Sequence, residues 1–335
     1  MTKKTFEAVN WNKLDNDYVE VFWEQNLKQF WIDTEYIPSK DIQSYRGLDD
    51  NMKDAYKKVL GGLTLLDTLQ SHTGMPKVID HINSLQNKSV LSFMCMMETI
   101  HAKSYSTIFT TVATNSEIDD VFKWVEENPY LQYKANIIDE KYRKLDDQDV
   151  SEYDIYMALV ASIMLESFLF YSGFFLPLWL AGQGEMVASA DIIKKIVADE
   201  SIHGIFVGLL AQERFETLSV TEKIRADRQV IEMMEDLMKN EFKYTEQIYT
   251  DIGLTTDVKE YLKYNANKAL ANMGREEHYE IKDLNQIVLN GLNVETTQHD
   301  FFSKKSTNYE KTLEVVHLSD DDFDLDLDFD DDFDI

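Results

Sequence analysis

The chain has a single cysteine, Cys95, among 335 residues. That excludes an intramolecular disulfide and fits a reducing compartment. Prolines are equally scarce: Pro38, Pro76, Pro129 and Pro177 leave long stretches free to be helical, and Leu, Met, Lys and Glu dominate those stretches. Basic residues are outnumbered 33 to 61 by acidic ones, and the net charge of −28 opposes phosphate neutralisation. Direct nucleic-acid partners are therefore not expected. No apolar signal segment follows the basic start Met1-Thr2-Lys3-Lys4-Thr5. The most apolar stretch, Leu165 to Leu180, is shorter than a membrane span and contains Glu166 and Pro177, so it is read as a buried helix with no membrane partner. A cytoplasmic protein is the expectation. No Pro/Gly/Ser-rich linker divides the chain, which favours one main domain.

The hydrophobic pattern predicts an all-α fold. Apolar residues recur at helical spacing from Asp50 to Gln70, with Asp67 inside the run. Further elements are expected over about 77–111, carrying Glu98, His101 and Tyr105, and over about 117–142, with Trp124 and Tyr130. An almost wholly apolar and aromatic run at 153–171 is interrupted by Glu166. Residues 191–215 supply Asp199, Glu200 and His203, and helical sequence continues to about 251. A last helix, 261–273, stops at Gly274. Residues 1–30 place Trp11, Phe22, Trp23 and Phe30 among polar neighbours, as an arm that packs on the body or covers a partner subunit.

Two segments carry the chemistry. Glu98-Thr99-Ile100-His101 and Glu200-Ser201-Ile202-His203 each set a carboxylate and an imidazole three residues apart, on one face of a helix. One such pair arises by chance in any helical protein; two, with an isolated glutamate between them, read as halves of one metal site. Glu166 lies in Met164-Leu165-Glu166-Ser167-Phe168, where an unpaired buried carboxylate is costly and a cation removes the cost. Asp67, in Leu65-Leu66-Asp67-Thr68-Leu69, is the fourth carboxylate, unless its helix exposes it. Four carboxylates and two histidines balance two divalent cations in charge, and oxygen-rich ligation favours iron or manganese. Tyr105 follows His101 by one turn on the same face, near Ile108 and Phe109; by itself it reads as a core tyrosine, and only beside an oxidising metal pair as a phenol whose radical an apolar pocket would protect.

Beyond about 290 the helical pattern weakens, and from Ser306 it is lost. Ten aspartates fall within residues 319–335, and their repulsion predicts a segment disordered on its own. Its periodic Phe and Leu read as anchors for a partner's groove, with the acidic residues guiding encounter. The plainer alternative is a solubilising end.

At Gly62–Thr68, Met97–Ser106, Leu165–Phe174, Asp199–Gly204 and Tyr264–Leu270 the sequence resembles the radical-generating small subunit of class I ribonucleotide reductase, most closely class Ib. The resemblance runs from about Trp11 to Phe302. It implies a ferritin-like helical bundle with additional helices over residues 1–305, forming a homodimer, and a flexible tail at 306–335 that binds the large catalytic subunit. It also implies Asp67, Glu98 and His101 at one metal, Glu166, Glu200 and His203 at the other, and Tyr105 as the residue oxidised to the stable tyrosyl radical. Trp31 resembles the tryptophan that opens the radical-transfer relay, Asp199 its acidic partner toward His101, and Tyr309 the tail tyrosine that carries the radical across the subunit boundary. Phe323, Phe329, Phe333 and Ile335 are the implied tail anchors. Class Ib further implies a dimanganese or diiron centre, manganese being favoured, and a flavodoxin-like activase. The competing readings are a diiron oxygenase or oxidase acting on an organic substrate, and a ferritin-like iron-storage protein.

Overall fold

The computed structural model of the chain describes residues 6–288, all of whose regular structure is helical. In chain order the helices are α1 (Val19–Gln29), α2 (Ile42–Gly47), α3 (Asp50–Leu69), α4 (Met75–Asp80), α5 (Leu85–Val112), α6 (Asn115–Glu127), α7 (Pro129–Arg143), α8 (Glu152–Met164), α9 (Tyr171–Gly182), α10 (Val187–Thr217), α11 (Val220–Tyr249) and α12 (Thr255–Asn272). Short 3-10 turns fill part of the gap between α1 and α2, and π-helical turns at Gln70–Gly74 and Leu165–Leu169 join α3 to α4 and α8 to α9. The bundle is ferritin-like: α3, α5, α10 and the α8–α9 run pack around one interior. Tyr309, the boundary at 305/306 and the acidic end lie outside the described residues.

Side chains fix the helix ends. Asp49 accepts from the Met52 N–H at 2.9 Å to open α3, and Ser84 from the Asn87 N–H at 3.0 Å to open α5. The Ser84 cap divides the element expected over 77–111 into α4 and α5. The element expected over 117–142 is likewise two helices, because Pro129 excludes helical backbone from Asn128, whose ψ is 116°. The Asn128 side chain then accepts from the N–H groups of Tyr130 and Leu131 at 3.0 Å each, opening α7.

The apolar run exceeds the expected Leu165–Leu180. Residues Glu152–Gly182 are long and apolar enough to cross a membrane, yet the apolar window is wholly buried among the other helices. A core element passes the same length test as a span; its surroundings here are protein.

Helix α10 lacks a cap of its own, since Met186 before it adopts φ of 51°. Instead Asp41, from a 3-10 turn near the N-terminus, accepts from the N–H groups of Ala188 and Ser189 at 3.1 and 2.6 Å. The N-terminal segment is thereby tied to the helix that carries Glu200 and His203. Its aromatic anchors divide: Phe22 is buried against Phe206 at 5.0 Å and Trp11 rests on Trp23 at 5.5 Å, but Phe30 is 46% exposed.

A charge pair is enclosed between α7 and α11, where Lys134 Nζ meets Glu241 Oε1 at 2.8 Å with both side chains buried. Ser172 donates to the other Glu241 oxygen at 2.7 Å, and the ammonium lies 4.4 Å from the Tyr244 ring centroid. Replacing Lys134 with Met strands the Glu241 charge in the core. We expect a loss of about 3–5 kcal/mol in chemical denaturation, largely recovered when Glu241 is also replaced by Met. An unchanged midpoint in the single variant would show that Glu241 needs no partner.

Candidate metal centre

Four separate stretches deliver the six predicted ligands to one point. Asp67 is in the last turn of α3, Glu98 and His101 are a turn apart on α5, Glu166 is in the second π-turn, and Glu200 and His203 are a turn apart on α10. All six are fully buried. Burial settles the orientation of Asp67, which the sequence had left open. A π-turn inserts an extra residue into the helical ladder, and such turns recur where a side chain must be re-aimed. Here one follows Asp67 and the other contains Glu166.

The donor atoms form two overlapping groups, Asp67–Glu98–His101–Glu200 and Glu98–Glu166–Glu200–His203, each with its atoms within 4.8 Å of one another. His101 Nδ1 is 3.0 Å from Glu200 Oε1, 3.4 Å from Asp67 Oδ1 and 3.6 Å from Glu98 Oε2. His203 Nδ1 is 2.7 Å from Glu98 Oε1, 3.4 Å from Glu200 Oε2 and 3.6 Å from Glu166 Oε2. Glu98 and Glu200 thus turn one oxygen toward each histidine, the disposition of bridging carboxylates. Glu98 and Glu200 are common to both groups, as bridging carboxylates would be.

The donor set fits a pair of divalent cations. Both oxygens of Asp67, Glu98 and Glu200, Oε2 of Glu166 and Nδ1 of both histidines are buried without a hydrogen-bond partner. Left so, each costs free energy, and hard cations supply what the protein withholds. Cys95, three residues before Glu98, stands apart from the cluster and donates to the Ser71 carbonyl at 3.3 Å, leaving an oxygen and imidazole site suited to manganese or iron.

Burial raises the Asp67 and Glu166 carboxyls well above the carboxylate range, and neighbouring carboxylates add to the shift. On both histidines burial acts downward, but the surrounding carboxylates outweigh it and raise them. Glu200 moves the other way, since its close contacts with Glu166, His101 and His203 prevail over its burial. Four of these five groups therefore take up protons on folding when no cation is bound. The metal-free fold should lose stability as pH rises above the ordinary carboxyl values of 3.8 and 4.5 and on through the histidine value of 6.5, the opposite contribution of Glu200 being confined to pH below 4.5. Metal binding displaces those protons, so the gap in Tm between manganese-loaded and metal-free protein should widen from pH 6 to pH 8. A gap that narrows in calorimetry would contradict these directions.

Tyr105 is fully buried and its hydroxyl has no hydrogen-bond partner. Burial pushes the phenol well above its ordinary value, with the Asp67, Glu200 and Glu98 charges acting the same way. Ile108, Phe109 and Phe170 are buried as well. On the far side of His101, Trp31 Nε1 donates to Asp199 Oδ2 at 2.8 Å, and the same oxygen is 3.0 Å from His101 Nε2. That contact places the proton of His101 on Nε2 and leaves Nδ1 for the metal. The Trp31 and His101 rings stack at 5.9 Å with 15° between planes. Gln29, which the sequence did not mark, donates to the other Asp199 oxygen at 2.7 Å. Gln70, Ser162 and Tyr142, which hydrogen-bond around Glu166, were also missed; nothing in their local sequence sets them apart from other polar core residues. Tyr309 falls outside the described residues.

Comparison with known proteins agrees with this geometry. The family "Ribonucleotide reductase, small chain" matches residues 8–286. The ribonucleoside-diphosphate reductase subunit beta of Bacillus subtilis is 48% identical over 96% of this chain and 97% of its own length. Subunit beta nrdF2 of Mycobacterium tuberculosis is 37% identical over 95% of this chain and 96% of its own. The crystal structure of Streptococcus sanguinis dimanganese(II)-NrdF superposes with a TM-score of 0.81 at 41% identity, covering 86% of this chain and all of that one.

Proposed function

The chain belongs to the ribonucleotide reductase small-chain family as the small subunit of a class I enzyme, and from that premise we infer how its residues divide the work. The oxygenase and storage readings give way to radical generation for a large subunit that reduces ribonucleotides. The observation that carries the assignment is the sealed cluster of Asp67, Glu98, His101, Glu166, Glu200 and His203, in which both oxygens of Asp67, Glu98 and Glu200, Oε2 of Glu166 and Nδ1 of both histidines lack hydrogen-bond partners. These six are assigned as the metal ligands. Manganese is favoured over iron, supported by the dimanganese(II) state of the S. sanguinis relative.

Asp67, Glu98, His101, Glu166, Glu200 and His203 would hold a metal pair that, once oxidised by dioxygen or superoxide, would supply the oxidising equivalent for one-electron oxidation of Tyr105. The burial that disfavours the phenolate requires the phenolic proton to leave together with that electron, toward the carboxylate side of the site. Ile108, Phe109 and Phe170 then exclude water from the tyrosyl radical. Asp199 orients His101 through Nε2 and holds the Trp31 indole by its N–H, so Trp31 is assigned as the exit of the oxidising equivalent and Asp199 as its coupling group. Tyr309 is assigned to the crossing between subunits, and residues 306–335 to large-subunit binding, on the family resemblance. A homodimer is assigned on the family resemblance. The flavodoxin-like activase and the cytoplasmic location rest on the class Ib resemblance and on the unpaired Cys95.

The test is reconstitution of the purified chain with manganese or iron, a matching large subunit, reductant and nucleotide, followed by EPR and deoxynucleotide formation. Loaded protein that neither gives a radical nor supports reduction in any combination would defeat the assignment. Deleting residues 319–335 should leave the radical intact and weaken the large-subunit complex; unaltered affinity would reject the anchoring role.

A further inference from the structure

The four ligand carboxylates are not equivalent. Asp67, Glu98 and Glu200 have both oxygens free of protein donors, whereas Gln70 Nε2 donates to Glu166 Oε1 and leaves only Oε2 without a partner. The same amide nitrogen donates to Ser162 Oγ at 2.7 Å, and the amide carbonyl accepts from the Tyr142 hydroxyl at 2.6 Å. Gln70, Ser162, Tyr142 and Glu166 are all fully buried. With the site loaded, an amide held at three points has a fixed sense, because turning it over would set its carbonyl lone pairs against the Glu166 carboxylate that a bound cation keeps ionised.

The surroundings are shaped for this contact. A Cβ at Gly74 would lie 2.6 Å from both Gln70 Oε1 and Tyr142 Cε2, so the position must be free of a side chain for the Tyr142–Gln70 hydrogen bond to close. Gln70 opens one π-turn and Glu166 lies in the other, so the amide joins the two places where the ligand-bearing helices depart from α geometry.

We propose that Gln70 is a positioning residue that restricts Glu166 to one metal-facing oxygen, while Glu98 and Glu200 keep both of theirs for bridging. The two metal positions are thereby made unequal by the protein alone: the position near His203 has a terminal carboxylate locked by a buried amide, and the position near His101 has in Asp67 a carboxylate free to present either oxygen or both. The proposal rests on the dinuclear reading of the site.

The experiment is a titration of the metal-free full chain with Mn(II), following free Mn(II) by its EPR signal, for the parent, Gln70→Met and Tyr142→Phe. Gln70→Met keeps the bulk of the side chain and removes the donor. Binding at one of the two positions should weaken about 10–100-fold, with the other altered by no more than about twofold. Tyr142→Phe keeps the ring but releases the amide, and should shift the same position by a smaller factor. A general packing defect moves both positions together, so equal weakening of both, or parent-like binding in Gln70→Met, overturns the proposal. If Gln70→Met does not fold, Tyr142→Phe decides, and unchanged binding there overturns it. A parent chain that fails to bind two Mn(II) ions refutes the dinuclear reading itself, a result distinct from failure of the Gln70 assignment.

Discussion

Tyr105→Phe should abolish the radical EPR signal and reduce nucleotide reduction to background while leaving both metals bound. The structure makes this variant unusually clean. The Tyr105 hydroxyl is buried without a hydrogen-bond partner, so removing it relieves a desolvated polar group and keeps the ring in place. Stability should be unchanged or higher, by up to about 1–3 kcal/mol. Loss of activity then cannot be ascribed to unfolding or to a vacant centre, provided metal analysis and the thermal midpoint are measured on the same preparation. Persistent large-subunit-dependent turnover in this variant would remove Tyr105 from the mechanism.

Trp31→Phe is expected to give the complementary phenotype, with the Tyr105 radical formed at a normal level and turnover lost. The substitution removes the indole N–H that reaches Asp199 at 2.8 Å, but Asp199 still holds His101 Nε2 and still accepts from Gln29. The ligand geometry at His101 therefore survives. A buried charge-assisted hydrogen bond and some ring volume are lost, which costs about 2–4 kcal/mol, so assays belong well below the lowered Tm. Asp199→Ala separates orientation from transfer. It deprives His101 of its partner as well, and metal affinity should fall about 10–100-fold in addition to the loss of turnover. Trp31→Phe protein that turns over at the parent rate would show that the stacked indole is only packing.

The site was largely legible because its chemistry is written at helical spacing. Glu98 with His101, and Glu200 with His203, announce themselves within four residues, and Glu166 stands out because an apolar run tolerates no idle carboxylate. The family resemblance then attached roles to Tyr105, Trp31 and Asp199, none of which the spacing alone requires. The errors were local and steric: a hydrophobic period continues across Ser84 and across Asn128-Pro129, so one element was expected where a cap and a proline make two. The apolar stretch is longer than Leu165–Leu180 because α8 continues it on the N-terminal side, joined through the π-turn that contains Glu166.

Other features had no local signature. Asp41 capping α10, Lys134 meeting Glu241, Gln29 on Asp199 and Gln70 on Glu166 all join residues far apart in the chain. Each partner taken alone is an ordinary polar residue. Only packing removes the water that would otherwise satisfy it.

The order of residues along single helices determined which side chains share a face, and with it the ligand types, their charge and the all-α class, since helical geometry converts spacing directly into direction. Which carboxylate oxygens face each histidine, which glutamates lie between the two histidines, and which carboxylate is held by an amide were decided only when helices from distant parts of the chain packed together. Those relations depend on angles and distances between elements, fixed by burial of the whole core.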